Sequence, residues 1–207
     1  SLIKLAESDG IEVNDVLVAD ASQRTTSLNA YVSGFGASKR IVVYDTLLQD
    51  ATPAEVRLVV AHELGHAKNN DVLHGTIVGA LGAIAGVTLL ALLVTSRRLA
   101  RRAGYPEGSP RDAQVVPAIL ALVACGTLLI LPVQNLISRA IEARADVHSL
   151  DLTKDPKTFE ATQRKLATTN LSDPWPPRLL YAWYATHPTL AQRIAIAQGW
   201  QERESDR

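Results

Sequence analysis

Ala61-His62-Glu63-Leu64-Gly65-His66 decides how the rest of this chain is read. The two histidines stand four residues apart. On a helix, positions i and i+4 project from one face, so both imidazoles can reach a common point. Glu63 follows the first histidine directly, where its carboxylate can touch a water held at that point. This is the H-E-x-x-H pattern of zinc hydrolases. Imidazole is a good zinc ligand, and Zn²⁺ acidifies a bound water enough to give hydroxide near neutral pH. The same short pattern also arises by chance on a solvated helix face, so the flanking sequence has to decide.

Upstream, Thr52-Pro53-Ala54-Glu55 has the chemistry of a helix start. Thr52 can cap, Pro53 fits the first helical position, and Glu55 completes a capping box. The helix runs from Pro53 to about Lys68, with Val56, Val59, Val60 and Leu64 on or near its apolar face. Downstream, the stretch from Asn135 to Asp146 places Glu142 and Asp146 four apart on another helix. A site with two histidines needs a third protein ligand and one position left for water. Glu142 suits the first need, and Asp146, one turn on, can orient a ligand histidine. A solvated carboxylate pair, or pairing with Arg139 and Arg144, competes for the same residues.

Ahead of the histidine helix, Asp9-Gly10 ends a short first helix. Strands are predicted at Val16–Ala19, 28–35 and 39–44, the last two joined as a hairpin through Gly34-Phe35-Gly36-Ala37-Ser38. A small antiparallel sheet follows, then a short helical turn at Asp45–Leu48. Residues 75–95 and 113–138 are uncharged. Twenty-one helical residues span roughly 30 Å, the thickness of a bilayer core. Gly75/Gly79 and Gly82/Gly86 allow close helix approach in lipid. Pro132 is expected to kink or end the second span, so the membrane helices are placed at 75–95 and 113–135. A connector carrying Arg97, Arg98, Arg101, Arg102 and Arg111 joins them into a hairpin. Core helices of a soluble protein are the alternative.

Residues 156–170 read as a helix. Trp175, Tyr181, Trp183 and Tyr184 cluster around the loop that follows, either as a membrane-interface belt or, the favoured reading, as packing near the site. A last helix runs from Leu190 to about Gly199 and contains Arg193. His187, just before it, is either a surface residue or, near zinc, a donor to a developing oxyanion. The 207 residues carry no net charge, which argues against bulk-charge binding of nucleic acid. The single cysteine, Cys125, excludes an internal disulfide and reads as a buried or lipid-facing apolar residue. The chain opens in mid-pattern without methionine, as a segment of a longer protein would.

These pieces together resemble the membrane zinc metallopeptidases that include the CAAX prenyl protease and the HtpX heat-shock protease. The resemblance rests on Asn29-Ala30-Tyr31, Lys39 through Leu48, Ala61 through His66, Asn135 through Asp146, and His187-Pro-Thr-Leu-Ala-Gln-Arg193-Ile194, in that order. The tail with Asn170-Leu-Ser and His187-Pro-Thr-Leu is closer to the CAAX prenyl protease branch. The resemblance implies an α+β, mostly helical gluzincin-type metallopeptidase, with residues 1–207 as a single domain. It implies one Zn²⁺ per chain, held by His62, His66 and Glu142, with Glu63 activating the water. Asp146 would support a ligand histidine, His187 and Asn135 would stabilise the oxyanion, and Arg193 would brace the site. The strand around Asn29, Ala30 and Tyr31 would bind substrate by adding it to the sheet edge. The expected partners are peptide or protein substrates, membrane-bound or lipidated ones included, and membrane lipid. The expected place is an integral membrane position (the cell membrane in a bacterium) with the catalytic part in the cytosol. The arginine-rich connector would then face outward, against the positive-inside preference. A catalytically silent, zinc-stabilised membrane scaffold is the rival function.

Overall fold

The computed structural model describes the chain except Phe35, residues 108–111 and Arg207, and for Ala37 the backbone alone. Two features of the sequence reading, Phe35 at the end of the second strand and Arg111 of the connector, lie outside the described residues.

A short helix α1 (Leu2–Ser8) leads into three strands, β1 (Asp15–Ala19), β2 (Ala30–Ser33) and β3 (Arg40–Tyr44). The expected hairpin forms: β2 and β3 pair antiparallel, with Ala30 opposite Val43 and Ser33 opposite Arg40. The first strand departs from expectation. It pairs with β3 in parallel, Val16 opposite Ile41, so the sheet is mixed, in the order β1-β3-β2. Burial explains the order. Ile41, Val42 and Val43 are all buried, so β3 takes the centre, while β1 leaves Leu17 and Val18 exposed at one edge. The other edge is β2.

Helix α2 (Asp45–Asp50) precedes α3 (Pro53–Lys68), whose start is as the sequence predicts. Thr52 Oγ accepts from Glu55 N at 3.3 Å, and Glu55 accepts from Thr52 N at 2.6 Å. One side of α3 packs Val56, Val60, Ala61 and Leu64 onto the sheet and α1, around Leu5, Ile41, Val43 and Leu47. The other side faces α6 (Val116–Thr153). Gly65 sits at a close contact between the two helices: a Cβ there would lie 3.1 Å from His148 Cβ.

Asn70, in the left-handed region at φ 51°, turns the chain from α3 into α4 (Asp71–Val94). After α4 come α5 (Arg97–Ala103) and then α6. Both α4 and the helical stretch from Ala113 to Thr153 are long and apolar enough to cross a membrane. Along their most apolar windows, few side chains are buried. Val78, Leu81, Ile84, Val87, Leu120, Leu129 and Val133 are all exposed, which overturns the reading of these runs as core helices of a soluble domain. Cys125 is exposed on the same apolar stretch. At the far end of the hairpin, Val94, Ala100, Tyr105 and Val115 pack together, and Tyr105 donates from its hydroxyl to Val94 O at 2.8 Å. In the connector, Arg97 and Arg101 lie 4.0 and 3.5 Å from Glu107.

Pro132 does not end the helix. α6 is 38 residues long and runs through it, so the apolar span and the Glu142–Asp146 stretch form one rod. Beyond it, α7 (Pro156–Thr169) and α9 (Leu190–Ser205) pack against each other, with Leu58, Leu150, Phe159, Ala197 and Trp200 as a second core. The short α8 (Arg178–Tyr184), which hydrophobic patterning did not reveal, docks on α6.

Candidate metal centre

The two histidines of α3 and Glu142 of α6 converge. His62 Nε2 lies 3.2 Å from His66 Nε2 and 3.3 Å from Glu142 Oε2, and His66 Nε2 lies 3.6 Å from Glu142 Oε1. The donor atoms of all three fall within 4.8 Å of one another. Zinc bonds of about 2.0–2.1 Å in tetrahedral geometry set ligand atoms about 3.3 Å apart. The observed spacings match that edge, and two imidazoles with one carboxylate are a donor set zinc accepts. The residues present therefore fit a zinc ion.

Each histidine is held from behind. His62 Nδ1 lies 3.0 Å from Asp146 Oδ1, close but not aligned as a straight hydrogen bond. Asp146 is fully buried, and its other oxygen sits 3.3 Å from Arg193 Nε. Arg193 also reaches Glu142 Oε2 at 3.2 Å and donates to Gln163 Oε1 at 2.9 Å, so one guanidinium spans Glu142 and Asp146. His66 Nδ1 is 2.9 Å from Asp71 Oδ2, and Arg144 pairs with the other oxygen of Asp71. Orienting contacts of this kind fix the ring and its tautomer. Sequence reasoning missed Asp71. The available signal was its position just past the last turn of the histidine helix.

The competing pairing of Glu142 and Asp146 with Arg139 and Arg144 is not what forms. Arg144 goes to Asp71, while Arg139 donates to Tyr181 O and Ala185 O at 3.2 and 2.7 Å and lies over the Tyr181 ring.

The electrostatics follow from this packing. Burial disfavours the His62 cation, but the Asp146 and Glu142 carboxylates outweigh it and push its pKa up to about 9. Burial raises the Glu63 carboxyl above its usual range, against the pull of His62 and His66. A carboxylate lifted this way is a better proton acceptor. His187 Nε2 stands 3.3 Å from Glu142 Oε2, and its Nδ1 is 2.8 Å from Thr186 Oγ. Desolvation at the cleft wall holds its pKa below the usual histidine value, against the attraction of Glu142.

His62, Glu63, Glu142 and His187 line a cavity of about 470 Å³ that also includes Asn29, Val59, Gln163, Tyr181, Tyr184 and Arg193. Of the substrate strand, Asn29 faces this cavity. Ala30 is buried in the core, and Tyr31 is exposed with its ring edge-on to Tyr44. Asn135 is not brought to the metal residues. It is buried elsewhere along α6, and its amide donates to Trp183 O.

A family profile described as Peptidase family M48 matches residues 2–201. The chain belongs to peptidase family M48. Among its relatives, "Uncharacterized metalloprotease YhfN" of Bacillus subtilis is 32% identical over 198 residues, covering 95% of this chain and 46% of that protein. "CAAX prenyl protease 1 homolog" of Oryza sativa subsp. japonica is 33% identical over 207 residues, covering 94% and 45%. "CAAX prenyl protease 1" of Saccharomyces cerevisiae is 28% identical, covering 100% and 48%. The crystal structure of S. mikatae Ste24p superposes with a TM-score of 0.79 at 24% identity, over 95% of this chain and 48% of that one, and establishes the shared fold. The M48 chain thus spans about half the length of the curated relatives it matches.

Proposed function

We propose that this M48 chain is the catalytic part of a zinc-dependent membrane endopeptidase. The observation that carries the proposal is the convergence of His62, His66 and Glu142 within 4.8 Å, at a cleft lined by His62, Glu63 and Glu142. His62, His66 and Glu142 would hold one zinc per chain. Zinc, when bound, supplies a Lewis acid for the scissile carbonyl and lowers the pKa of water. Glu63 accepts the proton of the attacking water and returns it to the departing amine, the role its raised pKa favours. His187, at the cleft wall, donates an N–H toward the developing oxyanion. Arg193 keeps Glu142 and Asp146 in place from behind. Asn135 serves this chemistry indirectly, by anchoring α8 through Trp183.

The substrate is a peptide or protein in extended form. β2 is an edge strand, and Asn29 at its start opens onto the cleft, so a peptide can pair with its free edge. The printed names of the plant and yeast relatives bring substrates with a prenylated segment to this chain as a proposal. α4 and α6 would cross the membrane as a hairpin, with the catalytic part in the cytosol. Its arginine-rich connector would then be labelled from outside intact cells.

The test pairs the native protein with Glu63→Gln in detergent. About one zinc per chain in both, with cleavage of casein by the native form alone, is the expected result. Turnover by Glu63→Gln at the native rate would refute the base assignment. Zinc in both forms without cleavage, repeated in the full-length protein, would favour the silent scaffold. A prenylated peptide cleaved no faster than its unmodified twin would remove the lipid from the proposal.

A further inference from the structure

We infer that the segment 171–184, α8 and the loop before it, is a wall of the cleft that lies in the membrane interface against the acyl chains of the bilayer. This rests on the reading of α4 and α6 as a membrane hairpin.

The depth of α8 is set by Pro132. Proline has no N–H, so in a helix it leaves the carbonyl four residues earlier without a donor. That carbonyl belongs to Leu128, and Trp183 Nε1 donates to it at 2.9 Å. The indole thus satisfies the backbone group that Pro132 orphans, inside an uncharged run where water could not. Asn135 binds the Trp183 carbonyl, and Arg139 caps the last carbonyls of α8. α8 is therefore pinned beside residues 128–139 of α6, roughly the last 16 Å of its apolar run at 1.5 Å per residue.

Its outer side has the composition of that depth. Leu171 is 92% exposed, Trp175 79%, Leu179 74% and Leu180 56%. Arg178 is the one charge from Pro174 to Thr186. On α6, within the stretch beside which α8 is pinned, Val133, Leu136 and Ile137 are exposed as well. An apolar band that continues a membrane-facing helix and carries Trp and Tyr belongs at the interface. The inner side of the same segment is cleft. Tyr181 and Tyr184 line the cavity that holds Glu63 and His187. One wall of the cleft thus meets the bilayer and the other carries the metal ligands. A substrate with an apolar tail can keep that tail in lipid while its peptide reaches the site.

Spin labels read this directly in the full chain reconstituted into phosphatidylcholine vesicles. Native Cys125, exposed on α6, reports the hairpin. In a Cys125→Ser background, Leu179→Cys reports α8, Leu180→Cys provides a second position should Leu179→Cys fail to fold, and Gln201→Cys on α9 serves as the aqueous reference. Power saturation with oxygen and a nickel chelate gives depth. Labels at 125 and 179 relaxed more by oxygen, with 201 relaxed more by nickel, is the expected pattern. A label at 179 relaxed by nickel, or by neither agent because protein covers it, overturns the inference while 125 keeps the hairpin in lipid. Nickel relaxation at 125 overturns the membrane reading itself and the inference with it.

Discussion

Replacing Gly65 by alanine probes how α3 is held against α6. A Cβ at position 65 meets His148 Cβ and Cδ2 at 3.1 Å and Cγ at 3.2 Å. Carbon atoms rest about 3.5–4.0 Å apart, so the helices must part by about half an ångström. His148 has little room to yield. Its Cβ is fixed to α6, its Nε2 lies 2.8 Å from Asp9, and Asp9 is pinned by Lys68. Overpacking of this kind costs about 1–3 kcal/mol. Alanine returns about 1 kcal/mol through helix propensity, leaving a net loss of about 0–2 kcal/mol. The larger effect falls on the metal. Metal–ligand distances tolerate about 0.2 Å, and His66 is already the ligand farthest from Glu142 at 3.6 Å. Metal affinity should drop about tenfold or more, which is about 1.4 kcal/mol. Competition with a chromophoric chelator measures the affinity, and thermal unfolding in the same detergent measures the stability. Adding His148→Ala should recover part of the affinity by opening space. A Gly65→Ala protein that binds zinc as tightly as the native chain and melts higher would refute the close-approach argument.

The other predictions concern the same site and its supports. Asp71→Asn should weaken zinc binding about 10–100-fold while leaving the melting temperature of the metal-free protein nearly unchanged; unchanged affinity would mean His66 is oriented without it. His62 is raised from 6.5 to about 9 in the metal-free protein, so its contribution to stability is present below pH 6.5 and lost as pH climbs through 9. Metal must displace that proton, so zinc binding at pH 7 should release about one proton, read by calorimetry in buffers of different ionisation heat, and affinity should rise toward pH 9. Trp183→Phe removes the donor to Leu128 O and should cost about 1–3 kcal/mol, seen as earlier proteolysis of the 171–184 segment in vesicles; no change would place the Leu128 carbonyl in contact with water.

Much of the local structure was legible in residue order. The capping box fixed where α3 begins because Thr52, Pro53 and Glu55 each act on their nearest neighbours. The i,i+4 spacings of His62/His66 and Glu142/Asp146 forced each pair onto one helical face. The two uncharged runs announced exposed apolar helices. Pairings between distant segments were not legible. Nothing local in Val16–Ala19 says that it joins β3 in parallel; the greater burial of Ile41 to Val43 draws β3 into the centre. Pro132 reads as a break because a local view cannot see Trp183, 51 positions later, satisfying the carbonyl that proline abandons. Asn135 looked like a site residue because it heads the stretch with Glu142, yet seven residues of helix carry its amide away from the metal ligands.

The sequence by itself therefore determined the chemistry on offer: two histidines and a neighbouring glutamate on one rigid helix, a carboxylate pair on another, and apolar rods long enough for a bilayer. Only the tertiary structure decided which charges meet. Arg144 turns to Asp71, Arg139 caps α8, and Arg193 is the arginine, among the described residues, that bridges Glu142 and Asp146. Periodicity acts over one or two helical turns, whereas the choice among several arginines depends on helix packing that brings residues 51 and 73 positions apart within hydrogen-bond reach.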